Sequence, residues 1–214
     1  MSKFLGKIHY WLFNKVRYAE QLEEKLETFA FEQGILEAAQ WKSEILSKFG
    51  MPAGEEPLEN IIDTTNIHGW LQEKIIAVES RQAAWITRLI NLNSSYKNAI
   101  ISIFEQDGTE KGSTAKEQYA VNSTSDMYKV LNDFILEGMP CDAVDSIIEN
   151  EENSFVWIST RCLHRQNWEA AEGNIEIFYA LRSSWIKSFV TAFHDAYDYN
   201  VEYDGEKRIN SIKK

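Results

Sequence analysis

Three prolines (Pro52, Pro57 and Pro140) and ten glycines are the strongest breaks available to 214 residues. Proline removes a backbone donor and glycine frees the backbone, so a chain poor in both is expected to build long helices between few stops. Residues 2–50 read as helix with a bend near Gly34. Leu5, Ile8, Leu12, Val16 and Ala19 recur at helical spacing, and Leu22, Leu26, Phe29, Ile35, Leu36, Ala39 and Ile45 carry the apolar face onward. The run Gly50-Met51-Pro52-Ala53-Gly54 ends it. A second helix is expected after Thr64-Thr65-Asn66, whose side chains can accept from free N–H groups, and it should reach Leu92. Tyr96–Glu105, Thr114–Val121 and Asp126–Leu136 read as further helices, with Asp107–Ser113 as the clearest loop and Gly138-Met139-Pro140 as a stop.

The last third changes period. Ala143–Glu149 and Phe155–Thr160 are short β-rich runs around Asn150–Asn153, and residues 199–203 and 207–212 flank Asp204-Gly205. Asp-Gly supplies the positive backbone angles of a tight hairpin. Between these hairpins, Leu163–Glu172 and Asn174–Ala196 read as helix, divided by Gly173. The expected fold is predominantly α with a small C-terminal α+β unit, at least half the residues helical and strands confined to residues 140–214. Residues 1–139 form the helical part and residues 140–214 the α+β part, either as two bodies or within one compact domain.

Lysine and arginine number 22 against 33 acids, a net charge of −11, which argues against nucleic acid as a partner because that needs a basic footprint. The exception is Met1–Tyr18, with Lys3, Lys7, Lys15 and Arg17 and no acid. No apolar run approaches the roughly eighteen residues of a membrane span. His9 interrupts the one stretch that could resemble an export signal. Two cysteines, Cys141 and Cys162, are too few for a disulfide framework and read as reduced thiols in a cytoplasmic protein.

The most informative pattern is a repeat. Residues 8–20 align with residues 67–79, with six of thirteen positions identical: Ile8/Ile67, His9/His68, Trp11/Trp70, Leu12/Leu71, Lys15/Lys74 and Glu20/Glu79. Two helices with equivalent packing roles explain the apolar matches. Eleven positions return a glutamate to within about 20° of its histidine's direction but about 16 Å along the helix. Any meeting must therefore be between helices. Antiparallel packing sets His9 near Glu79 and Glu20 near His68; parallel packing sets histidine by histidine and glutamate by glutamate. Either arrangement can hold a transition metal ion through His9, Glu20, His68 and Glu79, or a buried His–Glu pair. The helices carrying His9 and His68 are expected to pack together with both histidines buried.

Other groups of residues carry weaker signals. His194 and Asp198 are four apart, and Glu169 and Glu172 three apart. Cys162 and His164 are expected at a helix start, where a thiolate is favoured. Phosphate-binding glycine patterns, a nucleophile elbow and a His-Glu-x-x-His motif are missing. The seven tryptophans are mostly core, and the basic first helix, with Phe4, Tyr10, Trp11 and Phe13 around it, reads as a core helix rather than one lying on a membrane.

From Ser154 onward the order strand, Arg161-Cys162, helix, Gly173, helix and terminal hairpin resembles the small ligand-binding α+β domains of the 2-amino-thiazoline-4-carboxylate hydrolase and 4-vinyl reductase groups. The later cysteines expected of such domains are absent after Cys162. The resemblance implies a pocket for a small organic ligand between helices and sheet; it assigns no catalytic residue to this sequence. Two functions remain. One is a small-molecule-binding protein with hydrolase-like chemistry, a helix-lined aromatic pocket at Trp11, Trp70, Cys162 and His164, and His/Glu polar groups that can hold a metal. The other is a non-catalytic helical interaction or scaffold protein with buried structural His–Glu pairs. Self-association into a homo-oligomer is open in both.

Overall fold

The computed structural model describes residues 5–205 and 207–214, so residues 2–4 of the expected first helix lie outside the described residues. Of the described residues, 62% are helical and the strands fall between Asp145 and Lys213. The fold is predominantly α with a small antiparallel C-terminal sheet. The chain divides into two compact units: Met1–Lys97 with Leu136–Met139 and His164–Ile175, and Asn98–Ile135 with Pro140–Leu163 and Glu176–Lys214. A single division at residue 139 does not describe this arrangement, because the first unit takes two short segments from the second half of the chain.

In the first unit, α1 (Lys7–Glu32) ends before Gly34 and α2 (Ala38–Phe49) ends at Gly50, whose φ of 87° is open to glycine. A single turn, α3 (Leu58–Ile61), follows Pro57. The long helix α4 (Ile67–Leu92) starts where the Asn66 side chain accepts from the Gly69 N–H at 3.2 Å. It stops at Asn93, which accepts instead from the N–H and hydroxyl of Ser95. Leu12, Phe13, Val16, Leu71, Ile75 and Val78 form the core between α1 and α4, and Leu136 joins it from the inserted segment. The short α7 (Arg165–Ala170) completes this unit.

In the second unit lie residues 98–118 of α5 (Tyr96–Gln118), α6 (Thr124–Phe134), a 3-10 turn at Pro140–Asp142, and α8 (Ile175–Phe193) from residue 176 on. Strands β1 (Asp145–Glu151), β2 (Ser154–Ser159), β3 (Asp198–Asp204) and β4 (Lys207–Lys213) form one antiparallel sheet in the order β1-β2-β4-β3. Each hairpin forms as expected, and the two join through β2 and β4 with Trp157 opposite Asn210. Tyr128 of α6 stacks on Phe155 at 4.5 Å, covering one face of the sheet.

The expected loop at Asp107–Ser113 is instead the middle of α5. Its glycines serve close packing: a Cβ on Gly108 would lie 2.4 Å from the Trp185 carbonyl oxygen, and one on Gly112 would lie 2.3 Å from that of Phe189. The indole N–H of Trp185 donates to Asp107 at 2.7 Å. Burial of α5 against α8 outweighs the poor helix propensity of Asp-Gly and Gly-Ser.

Candidate functional site

The aligned segments 8–20 and 67–79 lie on α1 and α4, and their contacts rise together along both helices. His9 meets His68 with ring centroids 5.6 Å apart, Phe13 meets Trp70 at 5.8 Å, and the Gln82 side chain donates to the Ala19 carbonyl at 2.7 Å. The helices therefore run parallel, which rules out the antiparallel pairs His9–Glu79 and Glu20–His68. His9 is buried and His68 is exposed, so only one of the two expected burials occurs. In both segments the tryptophan carries its lysine four residues on: Lys15 lies 3.9 Å over the Trp11 ring and Lys74 5.2 Å over that of Trp70.

The Nδ1 atom of His9 accepts from the Gly6 N–H at 2.9 Å, closing the start of α1. That bond requires an unprotonated Nδ1, so the neutral ring carries its proton on Nε2. An imidazole in that tautomer is a donor at Nε2 and offers no lone pair there to a metal. Burial, and then the neighbouring His68, lower the pKa of His9 and favour this neutral form.

Eleven residues further along α1, Glu20 turns to Arg81 and not to a histidine. Arg81 is fully buried on α4, and its Nε donates to both oxygens of Glu23 at 2.8 and 2.9 Å. Its other nitrogens reach Glu20 at 3.2 Å and the Gly50 carbonyl at 3.2 Å, and Glu20 also accepts from the Ala53 N–H at 2.8 Å. One guanidinium thus serves two buried carboxylates and the turn between α2 and α3. Burial pushes Glu23 up to about 7, against the pull of Arg81 and with Glu20 and Glu27 adding to the rise.

Glu79 turns to His164, fully buried just before α7. The His164 Nδ1 lies 2.9 Å from one Glu79 oxygen, and the Asn167 amide donates to the other at 2.6 Å. The His164 Nε2 lies 3.3 Å from Glu137 in the segment Leu136–Met139. Burial alone would depress this imidazole, but the two carboxylates outweigh it and raise its pKa to about 9. His164 is therefore an imidazolium at neutral pH, with both N–H groups donating to carboxylates.

His9, Glu20, His68 and Glu79 accordingly do not converge. Parallel packing leaves the glutamates about 16 Å along their helices from the histidines, and each carboxylate meets a cation nearer to it. Among the described residues, no three His, Cys, Asp or Glu side chains group as metal ligands. Trp11 and Trp70 are half-buried, and Trp70 lies about 14 Å along α4 from the Glu79 that holds His164. Cys162 belongs to the second unit and is half-buried in the connection after β2, ahead of the helix rather than at its start. Glu169 and Glu172 are exposed, and His194 faces Asp195 at 3.4 Å.

Sequence reasoning passed over Arg81, Glu23, Glu137 and Asn167. The signal for Arg81 was present: Glu79-Ser80-Arg81-Gln82 interrupts an otherwise apolar stretch from Ile75 to Ile86. It also passed over Arg208 in the second unit. Arg208 on β4 is buried to 7% exposure, with its guanidinium 4.1 Å from the centre of the Tyr179 ring. On the same covered sheet face, the Tyr199 hydroxyl donates to Asn210 at 2.8 Å, and Asn210 donates to Ser159 at 3.4 Å. Burial drives the Tyr199 phenol well above its ordinary range, although the positive charges of Arg182 and Arg208 oppose the rise.

Among the described residues, no helix is long and apolar enough to cross a membrane. No family model, no curated protein and no solved structure matches this chain.

Proposed function

We propose that this chain is a binding protein and not an enzyme, its buried histidine and glutamates serving to hold the helical unit together. One observation carries this reading: both ring nitrogens of His164 are engaged by Glu79 and Glu137. A general base or nucleophile needs a free lone pair, and an imidazolium between two carboxylates has none. Of the buried structural His–Glu pairs expected from sequence, the same reading keeps one, at Glu79 with His164 as its histidine, while Glu20 pairs with Arg81. Small-molecule binding without chemistry fits the covered sheet face, where buried polar groups lie among aromatic rings.

Thermal melts of the full chain with chelator, and with zinc, nickel, cobalt or manganese added in turn, test the reading against a metal enzyme. The expected result is the same Tm throughout, and no hydrolysis of ester, amide or lactam probes that His164→Asn or Cys162→Ala abolishes. A stoichiometric metal that raises Tm and is lost in His9→Gln, or turnover that disappears in either of the other variants, would reverse the conclusion.

A further inference from the structure

Arg208 is the most anomalous charge in the second unit. A guanidinium withdrawn from water ordinarily has a carboxylate to compensate its desolvation. Arg208 is more than nine-tenths buried, yet among the described residues it makes no ion pair and its side chain donates no hydrogen bond. Among the described residues its side-chain contact is with Tyr179 on α8, the guanidinium carbon lying 4.1 Å from the centre of that ring. A cation–π contact supplies no oxygen acceptor to the fork of N–H groups.

The register shows why no acid of the sheet reaches it. Arg208 stands opposite Ser159 on β2 and Tyr203 on β3, and the acid on the same row is Asp145 on β1. Asp145 is two strands away, about 10 Å, and it accepts from the Ser159 hydroxyl at 2.5 Å. On α8, Tyr179, Arg182 and Ser183 are spaced three and four apart and so share a helix face. Arg182 adds a second positive charge near the Tyr199 hydroxyl, opposing the rise that burial imposes on that phenol. Two guanidiniums, aromatic walls and hydroxyls thus meet on one face of a chain whose net charge is −11.

We propose that Arg208, set over the Tyr179 ring and flanked by Arg182 and Tyr199, is the binding site for a small oxyanion-bearing molecule, a carboxylate with a flat apolar body. The guanidinium fork takes both carboxylate oxygens, and the tyrosine rings face the ligand's apolar part. The proposal rests on the reading of the chain as a binding protein and adds the class of ligand. A free inorganic oxyanion shares the charge chemistry without using the aromatic walls, so the two sources are separable.

Calorimetric titration and thermal shift of the full chain, at constant ionic strength, would use benzoate, acetate and inorganic phosphate, with benzamide as the neutral isostere and benzylamine as the cation. Benzoate is expected to bind at least tenfold more tightly than benzamide and to raise Tm, while acetate and phosphate bind more weakly. Arg208→Met should lose the benzoate response by at least tenfold. Without ligand it should melt no lower than wild type, since it removes an uncompensated buried charge; a purely structural arginine would instead lower Tm. Arg208→Lys, which keeps the charge without the fork, should fall between the two. Tighter binding of phosphate than benzoate assigns the site to a free inorganic anion and overturns the carboxylate class. Equal responses in wild type and Arg208→Met, or none to any anion, overturn the site. Preferential binding of benzamide or benzylamine overturns the ligand class and leaves the chain a binding protein, whereas hydrolysis of a probe overturns the non-catalytic reading and leaves the site.

Discussion

His9 and His68 stand side by side at the starts of two parallel helices, ring centroids 5.6 Å apart and planes inclined at 50°, yet only His9 is buried. The difference lies in how each helix begins. His9 closes its own helix by accepting from Gly6, whereas in α4 the Asn66 side chain performs that task and His68 is left in solvent.

His9→Ala should therefore cost about 0.5–2 kcal/mol, the range for losing a helix-start hydrogen bond, while His68→Ala should cost less than half as much. The folded pKa of His9 lies below its unfolded value near 6.5, so its contribution is present above that value and fades as pH falls through the folded pKa. Denaturant melts at pH 8 and pH 5 check both; equal losses for the two histidines would contradict the assignment.

Arg81→Met should destabilise by about 3–5 kcal/mol, because Glu20 and Glu23 would remain buried without their shared cation. Urea melts at pH 7 measure it, and a loss within error of zero would contradict the cluster's role.

Glu23→Gln should act in the opposite direction. The Glu23 pKa is raised to about 7 from an ordinary value of 4.5, so folding favours its protonated form. The resulting penalty is absent below about pH 4.5, grows as pH rises, and is complete above the folded value near 7. A glutamine should stabilise the protein by about 1–3 kcal/mol at pH 8 and leave it unchanged near pH 4.5. Melts at the two pH values decide it, and a variant less stable at pH 8 would refute the prediction.

His164 provides a second proton linkage of the same sign. Its folded pKa of about 9 exceeds the unfolded 6.5, so its stabilisation is fully present below 6.5 and is lost as pH rises through 9. Wild type should outlast His164→Asn most clearly at pH 6, with the gap in Tm closing toward pH 10. A gap that widens with alkali would show that the imidazole is neutral in the fold.

Gly112→Ala should destabilise by about 1–3 kcal/mol, despite the better helix propensity of alanine, because the new methyl would meet the Phe189 carbonyl at 2.3 Å. Thermal melts with far-UV circular dichroism measure this. A more stable variant would mean that α5 and α8 can separate without cost.

Much of the fold was legible in the residues themselves. Gly50, Asn66 and Asp204-Gly205 act on their own few bonds of backbone, so the ends of α2 and α4 and the terminal hairpin follow from local chemistry. The first hairpin follows from two β-rich runs around the polar residues Asn150–Asn153, although the shift in its register between Ile147 and Glu149 has no local signal. What the chain does with Asp107–Ser113 was not legible. Propensity makes that stretch a loop, and only the approach of α8 to Gly108 and Gly112 makes it a helix.

The candidate site divides along the same line. The sequence by itself determined which residues carry charge on apolar helices and that His9 and Glu20, like His68 and Glu79, share a helical face. Tertiary structure decided their partners: Glu79 meets a histidine 85 positions away, and Glu20 an arginine 61 positions away. Hydrogen bonds to buried charges depend on which atoms come within about 3 Å once the helices have packed, and no local spacing encodes that distance. Arg208 shows the same limit, since its neighbours Ser159 and Tyr203, neither of them an acid, are set only when β4 is paired between β2 and β3.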